Sequence, residues 1–164
     1  EVNTYKLLKS VLDIFENNEN SKFNFFLKCG YEIEKRNLDI FKNYKKTKIL
    51  PTNFNNQKMY DFCDVFILPS FSSIFSEISC SKKTILMNID KRVHSFENKA
   101  QSKIMKRANV SFNQESFLKS IKNILKNGRN SKFTSNNKNN DLTFYKSYCN
   151  DSSNTIRDRL KILK

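Results

Sequence analysis

Residues 61–88, DFCDVFILPSFSSIFSEISCSKKTILMN, decide how the rest of the chain is read. Residues 65–68 are consecutively apolar with no alternation, the pattern of a strand covered on both faces, as in a parallel sheet. A turn at 70–73 follows, with hydroxyls on Ser70, Ser72 and Ser73. Residues 74–80 then read as a short helix and 84–88 as a second buried strand. A hydroxyl-rich turn opening straight into a helix suits an anion, because the first helical amides lack intrahelical partners and the dipole is positive there. The plainer reading of these serines is as N-caps bonded to their own backbone. A capping box needs its acidic residue three positions after the capping serine. Those positions are Phe75 from Ser72 and Ser76 from Ser73, so Glu77 falls one residue too far along to close the box on Ser73. Glu77 is then either a solvated carboxylate favoured by the helix dipole or an acceptor for ribose hydroxyls at the serine end of the sheet.

Outward from this stretch, strands and helices alternate. Residues 2–15 form an amphipathic helix with Leu8, Val11, Leu12 and Phe15 on one stripe. Strands are expected at 23–27 and 48–50, the second stopped by Pro51. Helices are expected over 32–44 and 55–63. After residue 88 a loop carries the only histidine, His94. A weaker helix at 99–107, a strand at 109–112 and a strong helix at 115–127 follow, the last ending at Gly128 as a natural C-cap. Residues 130–140 read as a mobile polar loop, and 151–164 as a C-terminal helix. The alternation predicts one α/β domain over residues 1–164: a parallel sheet with helices on both faces. Ligands in such sheets bind outside the carboxyl ends of the strands. Lys28, Asn53, Ser70, Ser72, Ser73 and His94 all fall on that rim.

The 164 residues carry a net charge of +14. That favours an anionic partner, but the lysines are dispersed, and the joint richness in Lys, Asn, Ile and Phe matches AT-rich codons. No run of about 18 apolar residues exists to span a bilayer. The chain starts without Met and enters a helix almost at once, which suggests an excised fragment. Cys29, Cys63, Cys80 and Cys149 lack zinc or redox spacing and read as buried free thiols of a reducing compartment.

Much chemistry is missing. There is no G-x-G-x-x-G and no G-x-x-x-x-G-K-[ST]. There is no Asp-x-Asp pair for a metal and a diphosphate, and one histidine cannot build a His-rich metal site. Ser72 or Ser73 with His94 lacks the G-x-S-x-G elbow of a hydrolase. No metal and no cofactor are expected.

The segment resembles the C-terminal nucleotide-binding domain of GT-B glycosyltransferases, nearest to the bacterial group of capsule polysaccharide transferases and CDP-glycerol glycerophosphotransferases. Met59-Tyr60-Asp61-Phe62-Cys63-Asp64-Val65 matches that group's lead-in helix and strand. Ser70-Phe71-Ser72-Ser73 with Glu77 matches its Ser-Ser and acidic positions, and Ser81-Lys82-Lys83-Thr84-Ile85-Leu86 sits where it has Gly-Lys-Pro-Val-Ile. The tail from Asn150 to Ile156 is similar to the close of such domains. Lys28-Cys29-Gly30-Tyr31 departs from the family's Lys-x-His-Pro, so a histidine role there is lost.

The resemblance implies a Rossmann-like donor-binding domain beginning after its first strand, with the N-terminal acceptor domain and its catalytic base absent. It implies metal-independent transfer from a nucleotide-diphosphate, CMP- or CDP-activated donor to an acceptor glycan or lipid-linked glycan, in cell-surface polysaccharide synthesis. The serine turn would hold the donor phosphates and Glu77 its ribose or sugar, with Lys28, Asn53 and His94 beside them. The fragment would be inactive alone, and would sit in the cytoplasm with peripheral contact to the inner face of the plasma membrane. Two other readings remain: a nucleotide-sugar epimerase of the same fold, and a non-catalytic basic module on nucleic acid or anionic membrane.

Overall fold

The structure is a computed structural model that describes residues 2–19, 23–28, 41, 43–128, 131 and 137–148. Its elements run α1 (Val2–Glu16), β1 (Phe25–Leu27), β2 (Thr47–Ile49), α2 (Asn56–Phe62), β3 (Val65–Leu68), α3 (Ile74–Ile78), β4 (Thr84–Asn88), α4 (Asn98–Arg107), β5 (Asn109–Ser111) and α5 (Gln114–Asn127). A 3₁₀ turn (Asn137–Asn140) and α6 (Thr143–Tyr148) follow. Local chemistry sets the boundaries. The Asn55 side chain accepts the amides of Gln57 and Lys58 and so starts α2. Asn113 does the same for Ser116 at the head of α5. Gly128 closes α5 at φ 56°, a conformation that costs other residues more than glycine.

All strand pairs among the described residues are parallel. β1 pairs with β2, placing Phe25 opposite Thr47, while β3, β4 and β5 form a second sheet in that order. The period-two alternation of a strand then divides the core. Val65, Ile67 and Leu86 face Leu7, Val11 and Phe15 of α1 and Phe117, Ile121 and Ile124 of α5. Phe66, Leu68, Ile85 and Met87 face the other way, onto Met59, Tyr60, Phe75, Ile78, Ile104, Phe144 and Tyr145. Helices therefore cover both faces, as expected. The expected single sheet is instead two short ones. Phe25 joins them, packing both against the α1–α5 layer and against Leu12, Leu27 and Phe41, and stacking on Phe15 at 4.0 Å.

Several expectations change. Leu7, rather than Leu8, sits in the buried stripe of α1; Leu8 packs at its edge. Cys63 and Cys80 are free thiols but half-buried, not buried. The 130–140 stretch, expected as a loop, contains the 3₁₀ turn, where Lys138 Nζ donates to the Ala108 carbonyl at 3.3 Å. α6 was not expected at all: its Phe144 meets Phe75 edge-on at 4.8 Å. The expected helix over 32–44, apart from 41, 43 and 44, lies outside the described residues. So do Cys29, Gly30, Tyr31, most of 130–136, Cys149, the family-like tail and the 151–164 helix.

Arg107 is the least expected core residue, at 1% exposure. The short α3 and the turn after it present carbonyls that local amides serve only in part, Ile78 by the Ser81 amide at 3.1 Å. Arg107 reaches back to them: Nε donates to Ser79 at 2.8 Å, and Nη2 approaches Ile78, Ser81 and Lys83 at 3.3, 2.5 and 2.9 Å. Burial pushes its pKa down to about 10, still leaving it a cation at neutral pH. Arg107→Ala takes this donor from the Ser79, Ser81 and Lys83 carbonyls and should lower unfolding free energy by about 2–4 kcal/mol. A loss within experimental error in urea unfolding would show that the fork is dispensable.

Tyr44 donates to Asp13 Oδ1 at 2.8 Å, tying the approach to β2 onto α1. Burial and the Asp13 carboxylate raise its pKa to about 12. A phenol with a raised folded-state pKa contributes stability that is complete below its unfolded value near 10 and lost as pH rises through about 12. Tyr44→Phe should remove that alkaline loss relative to the parent protein. Identical slopes between pH 10 and 12 for both proteins would contradict the coupling.

Candidate functional site

β3 ends at Leu68, and the chain turns through Pro69 and Ser70 into α3. Asn88, at the end of β4, donates through Nδ2 to the Pro69 carbonyl at 3.2 Å and fixes the two strand ends together. Asn88 is 5% exposed and its Oδ1 has no partner among the described residues. Ser70 is half-buried, and Ser72 and Ser73 are exposed. Ser73 already has helical φ and ψ, and its hydroxyl makes no capping bond. The amides of Phe75 and Ser76 are taken by the carbonyls of Ser72 and Ser73, both at 3.0 Å. The 3₁₀-like start thus consumes amides that the sequence reading left free for an anion. The serine hydroxyls remain at this turn.

Glu77 lies one turn on, exposed, and is not a capping residue. Its Oε2 accepts the Tyr60 hydroxyl at 2.6 Å and the Asn56 side-chain amide at 3.3 Å. Asn56 Oδ1 accepts in turn from Lys28 Nζ, which also donates to the Phe54 carbonyl at 2.6 Å. Lys28 and Glu77 were both expected on the rim, and they do converge, through Asn56. The ends of β1 and β2 are thereby joined to α3. Tyr60 and Asn56 were not singled out in the sequence. The legible signal was the helix expected over 55–63, which sets residues 56 and 60 one turn apart on one face. Glu77 Oε1 makes no hydrogen bond to a described residue.

After β4 the chain bends at Asp90, whose carbonyl accepts the amides of Val93 and His94. Arg92 Nε and Nη2 grip the Asp90 carboxylate at 2.9 and 2.7 Å, and together with the Arg92 amide they hold its pKa down to about 2. This turn delivers His94 to Phe71 at 6.1 Å between ring centroids, and to Phe96 at 5.9 Å. His94 therefore reaches the serine turn as part of an aromatic cluster. Asn53 is exposed in the turn after β2 and takes no part in the Lys28–Glu77 network.

Two open grooves lie away from this rim. One of about 660 Å³ runs between α4 and the 137–141 segment. The other, of about 560 Å³, lies between the last turns of α1 and α5. Neither includes a rim residue. Among the described residues no group of His, Cys, Asp and Glu is placed to hold a metal, and no helix is long and apolar enough to cross a membrane. The fold is therefore α/β with parallel strands, an arrangement compatible with a Rossmann-like domain. No protein-family model, no curated protein and no solved structure matches this chain.

Tyr60→Phe keeps the ring and its edge contact with Phe66, and removes the bond to Glu77. It should cost about 1 kcal/mol in urea unfolding. In a Glu77→Ala background the cost should shrink, because the two residues share one interaction. Simple additivity of the two losses would refute the coupling.

Proposed function

We propose that this chain is the donor-binding part of a transferase that uses a nucleotide-activated sugar or polyol phosphate, as the resemblance to GT-B enzymes of bacterial surface-polymer synthesis implies. The observation that carries the reading is the half-engaged carboxylate of Glu77. Tyr60 and Asn56 occupy Oε2 and orient the group, while Oε1 remains available to accept hydrogen bonds from a diol. A sugar or ribose presents just such donors. The hydroxyls of Ser70, Ser72 and Ser73 stand on the neighbouring turn as donors to phosphate oxygens. Lys28 takes a different part from the one expected of it: its ammonium holds Asn56 and the Phe54 carbonyl, so it positions Glu77 rather than meeting phosphate. His94 and Phe71 would form an apolar wall beside the serines.

In this reading the acceptor and the catalytic base come from outside these residues, and the donor half supplies binding and stabilisation of the leaving diphosphate. A native-state ligand raises the unfolding midpoint as its saturation rises. CDP, UDP, GDP or ADP at about 100-fold over its dissociation constant should raise the midpoint by about 5–10 °C. One nucleotide should stand out, and Glu77→Ala and Ser73→Ala should each reduce its shift. Equal shifts for all four, erased by salt, would mean unspecific lysine electrostatics and favour a basic module on nucleic acid or membrane.

A further inference from the structure

The α4 groove has chemistry of its own, independent of the rim. Gln101, Ser102, Met105 and Lys106 fall on one stripe of α4, opposite the buried Ile104 and Arg107. The far wall is Lys138 and Asp141. Lys138 is half-buried, and burial lowers the pKa of its ammonium. Among the described residues that ammonium has a single hydrogen bond, to the Ala108 carbonyl, and no carboxylate within ion-pair distance. Lys106 is exposed and likewise forms no ion pair. Beneath them Arg107 is buried, with Nη1 lacking any acceptor among the described residues. The one balancing carboxylate, Asp141, is already used: it accepts the Thr143 amide at 2.9 Å. Against the opposing effect of burial, that bond and the nearby Lys106 and Arg107 hold its carboxyl below the usual range.

A partly desolvated cation without a counter-ion is costly unless something completes it. Two cations, Lys106 and Lys138, line the groove with one committed carboxylate, and between them its floor is apolar, in Met105, 40% exposed, and the lysine stems. Its volume of about 660 Å³ is in the range of small-molecule sites. We infer that this groove binds a small amphiphilic oxyanion, its phosphate or carboxylate between Lys106 and Lys138 and its apolar part against Met105. Gln101 and Ser102 supply further donors to the head group.

Methionine methyl NMR tests this directly, because the chain has three methionines and two of them, Met59 and Met87, are buried. The protein labelled at the methionine ε-carbon would be titrated with hexyl phosphate, hexanoate and inorganic phosphate. The expected result is a saturable shift of the Met105 signal, assigned with Met105→Leu, while the Met59 and Met87 signals stay in place. Hexyl phosphate or hexanoate should bind more tightly than inorganic phosphate, and the tighter of the two names the head group. Lys138→Gln should weaken binding about tenfold, as loss of one charge-assisted bond does. If Lys138→Gln disturbs the Met59 and Met87 signals, the exposed Lys106→Gln takes its place. Glu77→Ala should leave the titration unchanged, which separates this site from the rim. The inference is overturned by an unmoved Met105 signal, by shifts insensitive to both lysine substitutions, or by equal shifts for all three anions that salt abolishes.

Discussion

Everything in this molecule depends on β4 being covered on both faces. All five of its residues are buried, and the strand pairs with β3 on one side and β5 on the other. A strand with no exposed face can exist only with a helical layer above and below it. α1 and α5 supply the first through Phe117 and Ile121; α2, α3, α4 and α6 supply the second through Phe75, Ile78 and Ile104. Each fully buried side chain of this size contributes about 1.5–3 kcal/mol against exposure.

The short connections demanded by that sandwich create a second problem, unpaired carbonyls, and cations solve it. Arg107 serves the turn after α3. Lys28 serves Phe54, Lys46 serves Glu16 and Asn18, Lys83 serves Asp61 and Lys138 serves Ala108. Among the described residues only Arg92–Asp90 and Lys119–Glu115 are ion pairs. Part of the large positive charge is therefore structural, spent on main-chain oxygens rather than held for a polyanion. With two glycines in the chain, tight turns that would satisfy their own carbonyls are scarce, and long cationic side chains do that work instead.

At the rim the same economy yields an asymmetric carboxylate. Glu77 bonds Tyr60 and Asn56 through one oxygen and leaves the other unengaged by the described residues. Just before it, the Phe75 and Ser76 amides are taken by the Ser72 and Ser73 carbonyls in the 3₁₀ start of α3. The serines, Phe71 and Glu77 lie within residues 70–77, directly after β3, and His94, from the turn after β4, is brought to them by the parallel pairing of the two strands.

The sequence by itself determined the order and type of the main elements, because apolar periodicity and caps act locally. The unbroken apolar run at 65–68 sufficed for β3, and the apolar stripe at 115–127 with Gly128 after it for α5, whereas the Asn55 and Asn113 caps were seen only in the structure. It also read Lys28, Asn53, Ser70, Ser72, Ser73 and His94 as strand-end residues, since strand ends are readable from composition. It could not reveal that Tyr60 and Asn56 orient Glu77, that Lys28 is used internally, or that Arg107 is core. Nor could it foresee α6, whose Phe144 and Tyr145 are buried in the cluster that includes Phe75, Ile78 and Ile104. Those outcomes were decided by the tertiary structure. Hydrogen bonds and burial at separations of 17 residues or more have no period in the chain, and exist only once the sheet has set the distances.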